Sequence, residues 1–388
     1  MNSQIFARRW ARLDGVDILR GLAIFFVLMN HLNIRLLIAD VPYTAGLPRQ
    51  LVASLVWNGQ FGVQIFFAVS GFLITSTTLR RWGPLGDIRV RDFYRLRFAR
   101  IVPLLLLLLL VLSGLHFAGL HDYVVTAKTG GLGRALLAAL TLHVNVLEAR
   151  RGYLPGGWDI LWSLSVEEMF YLFFPLVCKL LGRGKLLLIL LLGFVAMGPV
   201  ARTVLVHGNE IWLEKSYLGS MDAIALGCLT ALLVSRVRFS TRLLRILCTL
   251  GVVLLTYMLC FSVQTYGWGE RTGLDMTVLA IGTCLTIIGA AGTQWKAPLV
   301  LSPLLRLGRN SYEVYLTHMF VVFSFFGLFL RAGKPLHAVS FLFLSVILMA
   351  GLLGELVARL YSEPMNRLLR DRWGQAASAQ ASAKLVTT

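Results

Sequence analysis

Ten apolar stretches, each close to the length of a membrane span, constrain this 388-residue chain more than any other feature. A helix of about 20 apolar residues crosses the hydrocarbon core of a bilayer. The stretches lie near residues 17–38, 61–79, 101–120, 160–180, 185–206, 217–235, 243–262, 274–293, 311–331 and 336–361. Outer-membrane strands alternate apolar and polar residues, whereas residues 104–112 are continuously apolar, which excludes a membrane barrel. The sequence therefore predicts an all-α, polytopic membrane protein with about ten transmembrane helices.

One further window, residues 134–147, is short and contains His143 and Asn145, so its assignment needs independent evidence. Counting it as a span would reverse the orientation of every later helix. Arginine and lysine accumulate on cytoplasmic loops, and ten spans with a cytoplasmic N-terminus place most of these residues inside. We therefore predict ten spans, with both termini cytoplasmic and segment 121–158 on the outer face.

The same rule explains the net charge of +18, which in a soluble chain would suggest nucleic acid. Here the basic residues are assigned to cytoplasmic loops and to contact with lipid, and we expect no nucleic-acid partner. The five cysteines show no CxxC spacing, so we expect free thiols and neither a disulfide framework nor a metal site.

The chain ends carry little apolar sequence. The first apolar run lacks a small-residue cleavage site and is predicted to be a retained helix rather than a signal peptide. We expect a cytoplasmic segment over residues 1–16, one transmembrane domain over 17–364 and a cytoplasmic tail over 365–388. The tail is rich in alanine and serine from Gln375 onward, so we expect partial disorder there and no second domain.

Charged side chains inside a bilayer are costly and are functional by default. The first helix carries Arg20 and His31, which are about three turns, or roughly 16 Å, apart along the helix axis. Arg20 then lies near the cytoplasmic end and His31 beyond the midplane. The alternatives are a snorkelling topology anchor for Arg20 and a helix-bridging role for His31.

A second cluster enters the third helix from the inside and contains Arg95, Arg97 and Arg100. Arg97 and Arg100 are three residues apart and converge on one side of a helix. Guanidinium groups bind phosphate oxygens well, although a basic patch at this depth also suits contact with lipid headgroups.

A third cluster, at the outer end of the fourth helix, contains Ser165, Glu167 and Glu168. Adjacent helical residues point about 100° apart, so we expect one carboxylate to face inward while its neighbour makes an interfacial contact. Glu167, Ser165 and His31 would then form an acid–base group in the outer half of the membrane.

Taken together, the clusters resemble the acyltransferase-3 family of bacterial inner-membrane proteins over residues 14–364. The matching motifs are Arg20-x10-His31, Phe66-Phe-Ala-Val-Ser70-Gly71-Phe, Arg97-x2-Arg100-Ile-x-Pro103, Trp162-Ser-Leu-Ser165-Val-Glu167-Glu168-x2-Tyr171, Ser311-Tyr312-x2-Tyr315-Leu-x-His318 and Glu363-Pro364, which would close the last helix. Many members carry an additional extracytoplasmic hydrolase-like domain, and residues 156–161 are less typical of the family.

The resemblance implies an integral-membrane O-acetyltransferase of the O-antigen or exopolysaccharide type. It would move an acyl group from cytoplasmic acyl-CoA to a hydroxyl of an extracytoplasmic carbohydrate or glycolipid, without a metal. Carried over by position, His31, Glu167 and Ser165 would be catalytic, with His31 as the base, and Arg20, Arg95, Arg97 and Arg100 would hold the donor. Further matched positions are Asp17, Asn30, Ser70, Tyr312, His318 and Glu363.

Other interpretations remain open at this point. One keeps the chemistry but changes the acceptor to a small molecule or a lipid headgroup. Another is a transporter or exporter, because intramembrane charges also mark substrate paths. His116, His121 and His143 lie near the outer face without the ligand spacing of a metal motif, so we predict no metal there. The acyl chain length, a direct or acyl-histidine mechanism, a periplasmic partner and the oligomeric state, a homo-oligomer included, are left open.

Overall fold

The computed structural model describes residues 13–205 and 208–373, and this part of the chain is helical, without a β-strand. Ten helices in it are long and apolar enough to cross a membrane, which confirms the predicted fold class. They are α1 (Asp14–Ile38), α2 (Gly59–Trp82), α3 (Val90–Phe117), α4 (Leu161–Leu181), α5 (Leu186–Thr203), α6 (Tyr217–Arg236), α7 (Thr241–Cys260), α8 (Asp275–Thr293), α9 (Ser311–Arg331) and α10 (Val339–Val357).

Successive long helices run in opposite directions and define two faces. On the side where α1 begins, which we call the arginine face, Arg183 donates to Asp87 at 2.8 Å and so joins two short interhelical loops. On the other side, which we call the loop face, Asn58 donates to the carbonyl of Leu259 at 2.8 Å. The loop face carries the longer connections, over residues 39–58 and 118–160. We predict from the distribution of basic residues that the arginine face is cytoplasmic.

The ambiguous window over residues 134–147 does not cross the membrane. It is divided between two short helices on the loop face, Gly131–Leu140 and Val144–Arg151. Between them Leu142 has a φ of 62°, a left-handed conformation that a continuous helix does not contain. The prediction of ten spans, with segment 121–158 outside them, therefore agrees with the structure.

The last long helix ends differently from the prediction. We expected Glu363-Pro364 to close it, but α10 continues through a π-helix, Ala358–Ser362, into a helical segment that reaches residue 373. Proline has no N–H to donate to the preceding turn, and a π-helical turn directly before Pro364 changes the hydrogen-bond register at that point. The expected disorder from Gln375 onward lies outside the described residues.

Close packing of α2 against α6 forms the centre of the bundle. A Cβ atom built on Gly71 would lie 2.0 Å from the carbonyl oxygen of Ile224, so a side chain there would force the two helices apart. Small residues allow membrane helices to approach closely in this way. Beside this pair, α1, α2, α3, α4 and α9 surround a cavity that is lined by six of the thirteen sequence-predicted site residues.

Candidate active site

A cavity of about 350 Å³ lies among α1, α2, α3, α4 and α9. Toward the arginine face its wall includes Arg81 and Arg370, and deeper in the bundle it ends at Ser163 and Tyr315. The predicted donor residues Arg20, Arg97 and Arg100 all line it. An elongated space with guanidinium groups near one end suits an anionic molecule with a slender apolar arm.

A second cavity of about 660 Å³ adjoins the first at the arginine face and shares Arg81, Trp82 and Arg370 with it. Arg95 lies here rather than in the deeper cavity, with a guanidinium nitrogen 3.8 Å from Asp92. The structure therefore separates the predicted donor arginines into one at the mouth and three inside.

The three inner arginines differ in their protein partners. Arg97 donates to Glu168 at 3.2 Å and lies 3.7 Å from the centroid of the Tyr171 ring, while its Nε is buried with no hydrogen-bond partner. Arg20 lies 3.8 Å from Asp17. Arg100 is exposed and has no ion pair among the described residues. Several guanidinium donors thus remain available to a bound anion.

Asp17 has two basic neighbours, because Arg309 lies 3.5 Å from it as well. This aspartate therefore links α1 to the short helix Ser302–Arg309 at the arginine face, next to the donor cavity rather than in its wall.

Both carboxylates of the fourth-helix motif line the cavity, although we expected only one to face inward. Glu168 accepts from Arg97, whereas Glu167 accepts from Ser70 at 2.5 Å and from Tyr171 at 2.5 Å. The cavity extends far enough around α4 to border two adjacent residues. Both glutamates therefore line it, although their side chains point about 100° apart.

His31 lies just beyond the closed end of the cavity and pairs with His318. The two ring centroids are 4.9 Å apart, and Nε2 of His318 is 3.4 Å from Nδ1 of His31. Tyr315 lies between this pair and the cavity: its ring centroid is 5.7 Å from that of His318, and its hydroxyl is 2.6 Å from Ser163. His31 itself is not among the residues that line the cavity.

The structure does not bring together the expected group of His31, Glu167 and Ser165. Glu167 binds Ser70 and Tyr171, and the Ser165 hydroxyl donates to Leu161 and accepts from the Val144 N–H. Ser165 faces the short helix of segment 144–151 because it lies two residues before Glu167, on a different side of α4. Glu167 therefore lines the cavity, whereas Ser165 holds a loop-face helix against α4.

The other matched positions are distributed along α1, α9 and the helical segment that follows α10. Asn30 donates to the Val56 carbonyl at 3.0 Å, and Tyr312 lines the cavity and donates to Ile101 at 2.9 Å. Glu363 is exposed at the arginine face and lies 3.1 Å from Arg367. Asn30 and Tyr312 therefore hold helices together near the site, while Glu363 lies outside it.

The outer histidines are not gathered around a common point. His116 accepts from the Val125 N–H at 3.0 Å, and His143 contacts Thr141 at 2.7 Å. The described part of the chain holds no group of three or more residues suited to bind a metal ion, and all five of its cysteines are free.

Two buried ionic clusters were missed by reasoning from the sequence. In the first, Arg202 of α5 pairs with Asp222 of α6 at 2.7 Å. Both residues interrupt apolar runs, so the rule applied to Arg20 would have found them. In the second, Lys215 pairs with Glu148 and with Asp159. These three residues come from three separate loop-face segments, so no spacing in the sequence connects them.

The comparisons with known proteins agree with this arrangement. A family model described as an acyltransferase domain matches residues 13–354. The O-acetyltransferase OatA of Staphylococcus aureus (strain NCTC 8325 / PS 47) is 22% identical over 372 residues, and that of strain COL has the same identity. Each alignment covers 92% of this chain and 57% of the relative, so the chain spans little more than half of their length. No solved structure matches.

The family match extends over nearly all of the helical bundle and includes the three predicted donor arginines of the cavity, both glutamates and the histidine pair. The chain belongs to this family of membrane-embedded acyltransferase domains.

Proposed function

We propose that this protein is an O-acyltransferase that moves an acyl group, acetyl in the first instance, from cytoplasmic acyl-CoA to a hydroxyl of an extracytoplasmic carbohydrate. Lipopolysaccharide O-antigen and exopolysaccharide are the acceptors that we favour, and the bacterial inner membrane is the location. The observation that carries the proposal is an arginine-lined cavity that ends beside a histidine pair. The activity named for the relatives supports it.

The donor fits the two adjoining cavities by charge and shape. Coenzyme A carries its phosphates at one end and its thioester at the other, joined by a narrow arm. The phosphates stay near water at the mouth with Arg95, and reach Arg97 and Arg100, whose guanidinium groups suit phosphate oxygens. The arm then extends past Arg20 toward Tyr315 and Ser163, the pair that separates the cavity from His31.

The hydrogen bonds of the two histidines define which nitrogen of each ring is free to act as a base. Nδ1 of His31 lies 2.9 Å from the Val27 carbonyl, and Nδ1 of His318 lies 2.6 Å from that of Tyr315. A carbonyl only accepts hydrogen bonds, so each Nδ1 carries the proton in the neutral ring. This leaves Nε2 of His31 with a lone pair, and Nε2 of His318 facing the Nδ1–H of His31.

We infer that Nε2 of His31 takes the proton from the acceptor hydroxyl as its oxygen attacks the thioester carbon. The new ester C–O bond forms, the C–S bond breaks, and the proton passes from His31 to the departing thiolate of CoA. His318 stabilises the transient imidazolium by accepting from its Nδ1–H, which is the role that a carboxylate has in a serine-protease triad.

The test uses inside-out membrane vesicles from the source organism, prepared after deletion of the gene and complementation with variants. Radiolabelled acetyl-CoA is supplied outside the vesicles, and label in envelope carbohydrate is measured. The wild-type chain should transfer label. His31→Ala should abolish transfer at an equal protein level, because no other described group replaces the base.

The control is His337→Ala, which removes an exposed histidine from the loop face and should leave transfer unchanged. Full transfer by the His31→Ala protein would remove His31 from the chemistry. Binding of acetyl-CoA without any acetylated product would favour the transporter interpretation, and label in a lipid headgroup or small molecule would replace the acceptor class.

A further inference from the structure

The loop face holds a buried ionic cluster that has no role in the mechanism proposed above. Lys215 donates to Glu148 at 2.8 Å and to Asp159 at 2.5 Å. Burial raises the pKa of Glu148, and Glu148 and Asp159 hydrogen-bond to each other. The two carboxyl groups share one proton, which Glu148 carries, so Asp159 is the anion. Its negative charge balances the ammonium group of Lys215, and the cluster as a whole is neutral.

Asp159 is the member of this cluster that faces outward from it. Its side chain is 20% exposed, whereas those of Lys215 and Glu148 are 4% and 0% exposed. Glu148 is fixed from the other side, since it also accepts from the Leu154 N–H at 3.1 Å. Lys215 and Glu148 therefore hold the Asp159 carboxylate at one place near the loop face.

His31 is the functional group that this carboxylate acts on. The short helix that carries Asp159 packs beside it: a Cβ atom built on Gly156 would lie 2.8 Å from Nη2 of Arg35, one turn after His31 on α1, and the Ile160 carbonyl accepts from Tyr315 at 3.0 Å. Three nearby charges, those of Asp159, Arg35 and Lys215, act on the His31 ring, and Asp159 is the only anion of the three. Each of them comes from a different element: α1 itself, the short helix Gly156–Asp159 and the short helix Glu210–Lys215. The fourth neighbour, His318 of α9, is a neutral acceptor in the arrangement inferred above.

We propose that Asp159 is a positioning residue for acyl transfer, which balances the positive charge that His31 gains when it takes the acceptor's proton. The proposal rests on the proposed function. Without the Asp159 charge, the imidazolium would form beside Arg35 and Lys215 with no compensating anion, and the transition state would be disfavoured. Asp159 lies on the acceptor side of His31, away from the arginines that hold the donor, so its effect is on the rate rather than on donor affinity.

The test compares Asp159→Asn with the wild-type chain in the vesicle assay, with the acetyl-CoA concentration varied. The substitution keeps the size of the side chain and removes its charge. We expect the maximal rate to fall about a hundredfold, the lower part of the range for acid–base groups, while KM for acetyl-CoA stays within about twofold. Asp159→Glu restores the charge and should recover much of the rate. An unchanged maximal rate for Asp159→Asn would overturn the proposal.

Two further variants separate this role from a structural one. Glu148→Gln alters the same cluster but keeps the Asp159 charge, so it should lower the rate far less than Asp159→Asn does. Glu210→Gln removes an exposed loop-face carboxylate outside the cluster and should stay close to the wild-type rate. If Asp159→Asn does not accumulate in the membrane, Asp159→Glu decides: a rate as low as background at a normal protein level contradicts the proposal. Failure of the wild-type chain to transfer acetyl would instead overturn the proposed function itself.

Discussion

Two arginines of this bundle, the buried Arg202 and the half-buried Arg97, show that withdrawing a charge from solvent does not by itself indicate a binding site. Arg202 donates from Nε to Gly273 at 2.9 Å, from Nη2 to Thr277 at 2.7 Å, and from both Nη atoms to Asp222. Arg97 has one carboxylate partner, a tyrosine ring and a buried Nε without a partner. The hydrogen-bond donors of Arg202 are therefore bound within the protein, whereas Arg97 lines a cavity and keeps a donor that has no protein partner.

The difference lies in the partners that each helix pairing supplies. Asp222 is itself saturated, because it also accepts from Gln64 at 3.1 Å and from Thr277 at 2.5 Å. This network joins α2, α5, α6 and α8 near their loop-face ends, where both ions are buried and an unpaired ion is expensive. The arginine cavity instead opens at the arginine face, where contact with solvent lowers the cost of leaving guanidinium groups without protein partners.

The largest effect that we predict on stability comes from removing the saturated arginine. Arg202→Ala leaves Asp222 as a buried carboxylate without its cation, which should cost about 3–5 kcal/mol of unfolding free energy. Denaturant unfolding of the detergent-solubilised protein measures it. Arg151→Ala, at an exposed loop-face position, is the control and should change little. A loss below about 1 kcal/mol, the range of surface ion pairs, would show that the network is not structural.

Substitution of a cavity arginine should leave stability nearly unchanged and weaken donor binding instead. Arg100→Ala removes an exposed cation without a protein ion pair, so the unfolding free energy should change by less than about 0.5 kcal/mol. Affinity for acetyl-CoA should fall about tenfold, because a hydrogen bond to a charged group contributes roughly 1.5–3 kcal/mol. Calorimetry at two salt concentrations measures the affinity and its electrostatic part. Equal affinity for both proteins would contradict the phosphate assignment.

The smallest effects should distinguish two serines. Ser70→Ala removes a hydrogen bond to Glu167 inside the cavity and should slow acetyl transfer by about tenfold, the equivalent of roughly 1.4 kcal/mol. Ser165→Ala removes the acceptor for the Val144 N–H and should reduce stability by about 1 kcal/mol without slowing transfer. The vesicle assay and denaturant unfolding provide the two readouts. A Ser165→Ala protein that transfers acetyl more slowly but has unchanged stability would contradict this prediction and indicate a catalytic role for Ser165.

The sequence predicted the parts of this structure that depend on local pattern. The ten spans follow from runs of apolar residues, and the exclusion of residues 134–147 as a span follows from the distribution of arginine and lysine along the chain. Arg20, Arg97 and Arg100 were selected because charges are rare inside a membrane, and all three line one cavity.

The contacts between distant segments were not predictable in the same way. Ser70 reaches Glu167 from α2, and His318 reaches His31 from α9, because of how those helices rotate and cross. The cluster of Lys215, Glu148 and Asp159 combines three segments that have no shared spacing. Helix identity is encoded in each segment, whereas the rotation of one helix against another depends on the whole bundle.

The most direct test of the two-sided arrangement is a cryo-electron microscopy structure of the His31→Ala protein with acetyl-CoA bound in lipid nanodiscs. We predict phosphate density against Arg97 and Arg100, with the arm passing Tyr315 and the thioester carbon within about 3.5 Å of where an acceptor oxygen held by the wild-type imidazole would lie. A nucleotide bound at the loop face, or a thioester that stops at the mouth near Arg95, would contradict the account.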